Sequence, residues 1–184
     1  MNQINYARFL ERMSFFIAGA SIFGVCAKWS HDIVIKSFDF DHSFLMGLFH
    51  YTWHDAALIE AMPVFHRMLG FAIDVVALSI FILGLRYVIL FARAIAKGHL
   101  FNKDIIIALG GMSSCALWWA IYAPIQGALL SIVMSLHNPP GSRAITISFG
   151  SDDIINIFVC IFLMLIVLLI KEAYYLKQEQ DLII

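Results

Sequence analysis

Charged residues are scarce in this sequence of 184 residues, at 14% of the chain, while hydrophobic residues make up 61%. A soluble domain needs more polar surface than this composition supplies. The formal net charge is -1, so the chain lacks the basic excess that direct binding of nucleic acid requires. The composition therefore excludes an ordinary soluble domain and a direct nucleic-acid partner, and it favours a protein whose solvent is the lipid bilayer.

Cysteine is also rare, with Cys26, Cys115 and Cys160 all inside apolar stretches. Because their number is odd and they lie away from any oxidising solvent, we expect neither a structural disulfide nor a thiolate zinc site. No pattern in the sequence indicates a nucleophile beside its base. We therefore predict no catalytic residues and no enzyme activity.

Long apolar stretches are what the sequence has in abundance, over residues of about 9–29, 68–92, 105–131 and 154–174. A helix of about 20 apolar residues crosses the roughly 30 Å hydrocarbon core, and a helix satisfies its own backbone polar groups. The sequence therefore predicts an all-α integral membrane protein. We expect its four transmembrane helices to form an antiparallel bundle and residues 1–184 to form a single domain.

The uneven distribution of Lys and Arg among the loops predicts the orientation, because basic loops are retained in the cytoplasm. With both termini inside, the cytoplasmic flanks hold Arg8, Arg12, Arg86, Arg93, Lys97, Lys103, Lys171 and Lys177. The opposite side holds Lys28, Lys36, Arg67 and Arg143. We therefore predict a multi-pass protein of the bacterial cytoplasmic (inner) membrane with both termini in the cytoplasm.

Two outer segments, residues 32–40 and 144–149, alternate apolar and polar side chains with the period of two that is typical of strands. They predict a short two-stranded extracytoplasmic cap over the bundle. Residues 43–62 are too polar to span the membrane but carry aromatic side chains, which favours an interfacial helix.

Two short cytoplasmic motifs resemble those of a known family. After the second span, a basic residue and a glycine are followed, after two intervening residues, by Phe-Asn: Lys97, Gly98, Phe101 and Asn102. After the fourth span the tail reads KEAYYLKQEQDLII, with the matching residues Glu172, Ala173, Leu176, Glu179, Gln180, Asp181 and Leu182. These motifs resemble the bacterial four-span membrane family known only as domain of unknown function 2975.

The resemblance implies a four-span topology and no assigned activity. Members of that family are similar to proteins often encoded beside small helix-turn-helix regulators, which implies a cytoplasmic regulator protein as a partner. The tail itself is either the solvated end of the fourth helix or a docking surface for the basic turn or for a cytoplasmic protein.

Asp74 is an ionisable residue within a predicted span. A mid-helix Asp costs roughly 2.5 to 3.5 kcal/mol on insertion scales, so we expect it to face protein rather than lipid. Counting depth in an antiparallel bundle puts four polar residues nearest to it: Ser21, Tyr122, Gln126 and Asn156. This buried polar cluster either fixes helix register as a hydrogen-bonded network or forms a proton, ion or small-ligand site.

His50 and His54 are four residues apart and would share one face of a helix. That spacing suits a metal, but two imidazoles without a third ligand at a diagnostic position make a weak candidate. Haem held between helices needs histidines inside the spans, where none lies. The sequence therefore predicts no metal and no cofactor.

Two classes of function remain. The first is a non-enzymatic integral membrane protein that senses or binds a ligand and signals to a cytoplasmic partner; copurification of a small regulator would favour it. The alternative is a small transporter or a redox membrane protein that carries metal or haem, which an optical spectrum and metal analysis would reveal. The lipid bilayer is a partner in either class, and a homo-oligomer is left open.

Overall fold

The computed structural model describes residues 3–30, 59, 61–96, 103–136, 138–139, 141–147 and 149–183. In this part of the chain it contains four long α-helices and no strand: α1 (Gln3–Trp29), α2 (Val64–Ala96), α3 (Lys103–Ser135) and α4 (Ser151–Ile183). The prediction of an all-helical protein is therefore confirmed for the described residues.

All four helices are long and apolar enough to cross a membrane. At most 22% of the residues in the most apolar segment of any helix are buried within the chain. Large apolar side chains such as Phe16 and Leu169 are 73% and 70% exposed, while Ala94 and Ala108 are 2% and 0% exposed. Small residues inside and large apolar residues outside are typical of helices whose solvent is lipid. The four helices thus suggest a multi-pass membrane protein.

Local sequence explains where α2 and α4 begin. The carbonyl of Pro63 accepts hydrogen bonds from the backbone N–H groups of His66 and Arg67, at 3.0 and 3.2 Å. Proline is tolerated at the start of α2 because it has no backbone N–H, and the first turn of a helix does not need one. At α4, the backbone N–H of Gly150 donates to the Asp153 carboxylate at 2.8 Å, which is one half of a capping box. The negative charge of the Asp153 carboxylate is also stabilising beside the positive end of the helix dipole.

The segment before α4 does not form the strand predicted over 144–149. No strand is assigned in the described residues 144–147 and 149. The Thr146 N–H donates to Ser131 Oγ at 3.0 Å, and this hydroxyl also lies 3.3 Å from the Thr146 carbonyl oxygen. The backbone is therefore paired with a side chain of α3 rather than with a second strand. The two-stranded cap finds no support here, and the other predicted strand (32–40) and most of the interfacial helix (43–62) lie outside the described residues.

The chain divides into two compact units. The first unit comprises Met1–Ala18, Ser79–Ala123 and Phe149–Ile184, and the second unit comprises Gly19–Leu78 and Pro124–Ser148. The first unit therefore contains α4, while the second unit contains Asp74.

Small side chains make the core of the first unit. Ala92 is 3% exposed, and Ala94 and Ala108 are buried as well. Gly111 of α3 lies against the ring of Tyr87 of α2, so closely that a Cβ on this glycine would overlap the ring. Helix backbones can approach each other where such residues meet.

Candidate functional site: a buried ion pair on α2

Asp74 of α2 lies at the centre of a polar cluster in the second unit and is 4% exposed. Lys28 Nζ and Trp29 Nε1, both from α1, each lie 2.8 Å from Asp74 Oδ2. Gln126 Nε2, from α3, lies 2.7 Å from Asp74 Oδ1. The carboxylate thus joins three helices, and we refer to these four residues as the Asp74 cluster.

The two charges of the cluster differ in their access to solvent. The Asp74 side chain is 5% exposed, while the Lys28 side chain is 21% exposed. The Lys28 ammonium also lies 5.2 Å from the centroid of the Trp29 ring, within the range of a cation–π interaction. A buried ion pair is stable only when hydrogen bonds satisfy its remaining polar atoms, and three donors do so for this carboxylate. The negative charge of the cluster is therefore buried, and its positive charge is partly exposed to solvent.

Gly70 makes the room that the cluster needs. It lies four residues before Asp74, one helical turn away on the same face of α2. A Cβ on Gly70 would overlap the six-membered ring of Trp29. Trp29 itself is 6% exposed. The indole ring therefore packs on Gly70, and its N–H donates a hydrogen bond to Asp74. Together these two contacts fix the position of the C-terminal end of α1.

A second ion pair links the same two helices within the first unit. Arg93 of α2 pairs with Glu11 of α1, and the two side chains are 55% and 28% exposed. Here α1 supplies the anion, whereas in the Asp74 cluster it supplies the cation. Among the described residues, each unit thus contains an ion pair between α1 and α2.

Residues 50–184 match the model of a family described as Protein of unknown function (DUF2975). The match covers well over half of the chain. The chain belongs to this family. The resemblance predicted from the turn and the tail is thereby confirmed, while comparisons with the curated proteins and with the solved structures found no match.

The DUF2975 segment contains only part of the Asp74 cluster. Asp74, Gln126 and the supporting Gly70 lie within the matched residues, while Lys28 and Trp29 precede them. The family match alone would therefore have shown the anion of the pair without its cation.

The structure places each of the residues expected near Asp74. Gln126 donates a hydrogen bond to the carboxylate. Ser21 in α1 and Tyr122 in α3 are half-buried and have interactions of their own. Asn156 is exposed on α4 and belongs to the first unit. The structure thus brings together Asp74 and Gln126, and it adds two partners that depth counting did not name.

Lys28 and Trp29 were missed because the count considered only polar residues inside the spans. Lys28 had been assigned to the outer loop charges, and Trp29 ends the first apolar stretch. A signal was nevertheless available. Consecutive spans run in opposite directions, so the end of the first span and the start of the second come to the same side of the membrane. A buried acid near one of these two ends therefore predicts a basic partner near the other.

The other predicted site residues lie on α4 or outside the described part of the chain. Glu172, Glu179 and Gln180 are exposed, and Asp181 lies in the same helix. Lys97, Gly98, Phe101 and Asn102 of the DUF2975 turn lie outside the described residues, so a contact between tail and turn stays a prediction.

Of the outer histidines, His66 is described. Its Nδ1 is buried and has no hydrogen-bond partner among the described residues. His50 and His54 lie outside them. No group of three or more His, Cys, Asp or Glu side chains in the described part of the chain could hold a metal ion. The metal hypothesis for His50 and His54 therefore remains a sequence-based one.

Proposed function

We propose that this DUF2975 protein is a non-enzymatic, multi-pass protein of the bacterial inner membrane. In this proposal both termini are cytoplasmic, a ligand binds at the outer end of α1, and the binding is signalled to a cytoplasmic partner. The observation that carries the proposal is the Asp74 cluster, a buried ion pair that joins three helices and is open to solvent on its cationic side.

An ionisable residue inside a membrane span is costly, so its presence there favours a functional role. The Asp74 carboxylate already accepts three hydrogen bonds and is 5% exposed, which leaves little access for a cation. The Lys28 ammonium has three donors and is 21% exposed. An anionic group that approaches from solvent therefore meets Lys28 first and competes with Asp74 for it. An anion is the class of ligand that this arrangement favours.

Transmission to the cytoplasmic side would use α1. This helix is continuous from Gln3 to Trp29 and carries both Lys28 and Glu11. A ligand that binds better when Lys28 has left Asp74 would shift the population towards a state with α1 displaced. The partly exposed pair of Glu11 and Arg93 would offer little resistance to such a shift, because exposed pairs are weak.

Hydrogen exchange of the protein in lipid nanodiscs tests both steps. Asp74→Asn should raise amide exchange at residues 19–30 and also around Glu11, because both belong to one helix. Sodium phosphate at constant ionic strength serves as the anionic probe; it should raise the same exchange in the unaltered protein and have no effect in Lys28→Gln. Asn156→Ala, an exposed change on α4, is the control. An increase confined to residues 19–30 would show that the cluster is a local structural network.

The orientation is tested by thiol labelling of intact cells in a background that lacks Cys26, Cys115 and Cys160. A cysteine at the exposed Ser142 should react with an impermeant reagent, and a cysteine at Asn102 should not. Labelling of Asn102→Cys from outside would reverse the orientation. Haem or stoichiometric metal in the purified protein would instead favour the transporter or redox alternative.

A further inference from the structure

α4 presents one face to the rest of the first unit. From Ile157 onwards, half-buried and buried positions of this helix recur at intervals of three and four residues, at Ile157, Cys160, Met164, Val167, Ile170 and Tyr174, and Ile166 is half-buried as well. Cys160 is 6% exposed, and Val167 Cγ1 lies 4.0 Å from the point where a Cβ of Gly110 would stand. These positions define the side of α4 that packs against its own chain.

The opposite side of α4 carries a heptad pattern. With Val159 as position a, the a and d positions are occupied by Val159, Phe162, Ile166, Leu169, Ala173 and Leu176. Val159, Phe162, Leu169 and Leu176 are 47%, 56%, 70% and 59% exposed. β-Branched residues at a with Leu at d are typical of parallel two-stranded coiled coils. Most of the residues that pack against the chain occupy the b and f positions, with Ile170 at e and Ile166 at a. The a/d seam therefore points away from the chain at every described position except Ile166.

The seam continues past the apolar stretch into the polar part of α4. Lys171 and Glu172 are the first charges after Ile170, and the helix runs on to Ile183, a further distance of about 20 Å. From residue 171 to residue 180 every side chain except Tyr174 is exposed, including Leu176 and Tyr175. Lipid covers apolar side chains inside the bilayer as well as another helix would. Beyond the bilayer no lipid covers an apolar side chain, so the exposure of Leu176 there favours a protein neighbour.

The charges beside the seam identify that neighbour. Glu172 occupies position g and Lys177 occupies position e of the following heptad. In a parallel two-stranded coiled coil these two positions face each other across the interface, so Glu172 of each copy would lie opposite Lys177 of the other. Two copies inserted in the same membrane share one orientation, and their α4 helices are necessarily parallel when related by a two-fold axis.

We infer that two copies of this chain associate through the a/d seam of α4, with Glu172 of each copy beside Lys177 of the other. The inference rests on the membrane insertion of the proposed function. It adds an interface on α4, a helix that does not contribute to the Asp74 cluster.

Cysteine cross-linking in native membranes tests the seam, in a background without Cys26, Cys115 and Cys160. Leu176→Cys at position d should form a disulfide-linked dimer under a mild oxidant. Gln178→Cys at position f, which is also exposed and lies on the same turn of the helix, is the matched control and should cross-link at least about five-fold less. Equal yields at the two positions, or no dimer from Leu176→Cys, would overturn the interface.

The charges give a second test in the same Leu176→Cys background. Lys177→Glu sets like charges opposite each other and should lower the cross-link yield roughly 3- to 10-fold. Glu172→Lys combined with Lys177→Glu should restore it. A yield that Lys177→Glu leaves unchanged, or that the double exchange fails to restore, would rule out this register.

Carbonate extraction separates the two proposals. Release of the unaltered protein from the membrane by carbonate would contradict the proposed membrane function. Retention in the membrane together with a monomeric Leu176→Cys would contradict the α4 interface alone.

Discussion

The two ion pairs between α1 and α2 are made of similar groups, yet they have different physical consequences. In the first unit the side chains of Arg93 and Glu11 are 55% and 28% exposed, while in the second unit those of Lys28 and Asp74 are 21% and 5% exposed. Water and salt screen the first pair, so its net contribution is at most about 1 kcal/mol. The second has lost most of its hydration and depends on its protein partners. Burial, rather than the chemical identity of the ions, decides which pair the structure depends on.

Removal of Asp74 should have the largest effect. Asp74→Leu leaves the Lys28 ammonium without its counter-ion and strands the donors of Trp29 and Gln126, which should lower the free energy of unfolding by about 3–5 kcal/mol. The measurement is a denaturation curve in detergent. Lys28→Leu combined with Asp74→Leu should cost less than the sum of the two single changes, because no charge is then left unpaired. Additive losses would mean that the two residues do not form a pair.

Gly70→Ala should have the next largest effect. The new Cβ would overlap the Trp29 ring, which cannot turn away without loss of its hydrogen bond to Asp74, and we expect a loss of about 2–3 kcal/mol. Gly127→Ala is the matched control in the same unit, because no atom lies within 4 Å of its Cβ position. There alanine should stabilise the helix by up to about 1 kcal/mol.

The same change in the other unit sharpens the comparison. A Cβ on Gly111 would overlap the Tyr87 ring, but among the described residues no hydrogen bond holds that ring as Asp74 holds Trp29. Gly111→Ala should therefore cost less than Gly70→Ala. The opposite order would show that the packing of small residues in the first unit is the more demanding of the two.

Gln126→Leu should have an intermediate effect. It removes one of the three donors to the Asp74 carboxylate, and the loss of a hydrogen bond to a charged group should cost about 1–2 kcal/mol. Gln178→Ala removes a glutamine hydrogen bond to Tyr174 that is exposed, and thermal unfolding should be nearly unchanged. Equal losses in the two variants would mean that burial does not strengthen the Gln126 bond.

Glu11→Gln should have the smallest effect, below about 1 kcal/mol, and its effect should disappear at about 1 M salt. The measurement is the unfolding midpoint at low and at high salt, with Asp74→Asn followed in parallel. A salt-independent loss for Glu11→Gln would place this pair in the same class as the buried one and would remove the contrast between the units.

The helices were predictable because they depend on local properties of the chain. Length, hydropathy and the obligation to satisfy the backbone in lipid act within each stretch, so four spans follow from the sequence alone. The strand predicted over 144–149 from its alternating pattern is absent from the described residues of that segment. A strand needs a partner, and Thr146 is bound by the side chain of Ser131, fifteen residues earlier in α3.

The Asp74 cluster was predictable only in part. That a mid-span aspartate needs buried polar partners follows from the cost of an unpaired charge, and depth counting named Gln126 among them. Depth gives the height of a residue along its helix but not the direction in which it points. Lys28 and Trp29 were therefore left out and the exposed Asn156 was included.

By itself the sequence determined four apolar helices, membership of the DUF2975 family and the presence of one acid that must be neutralised. Only the tertiary structure decided which base neutralises it, and that Gly70 is the residue that admits the Trp29 ring. The reason is physical. Hydropathy and helix length are properties of one segment, whereas a salt bridge and a ring seated on a glycine depend on the rotation and register of two helices, which are fixed only when their side chains pack.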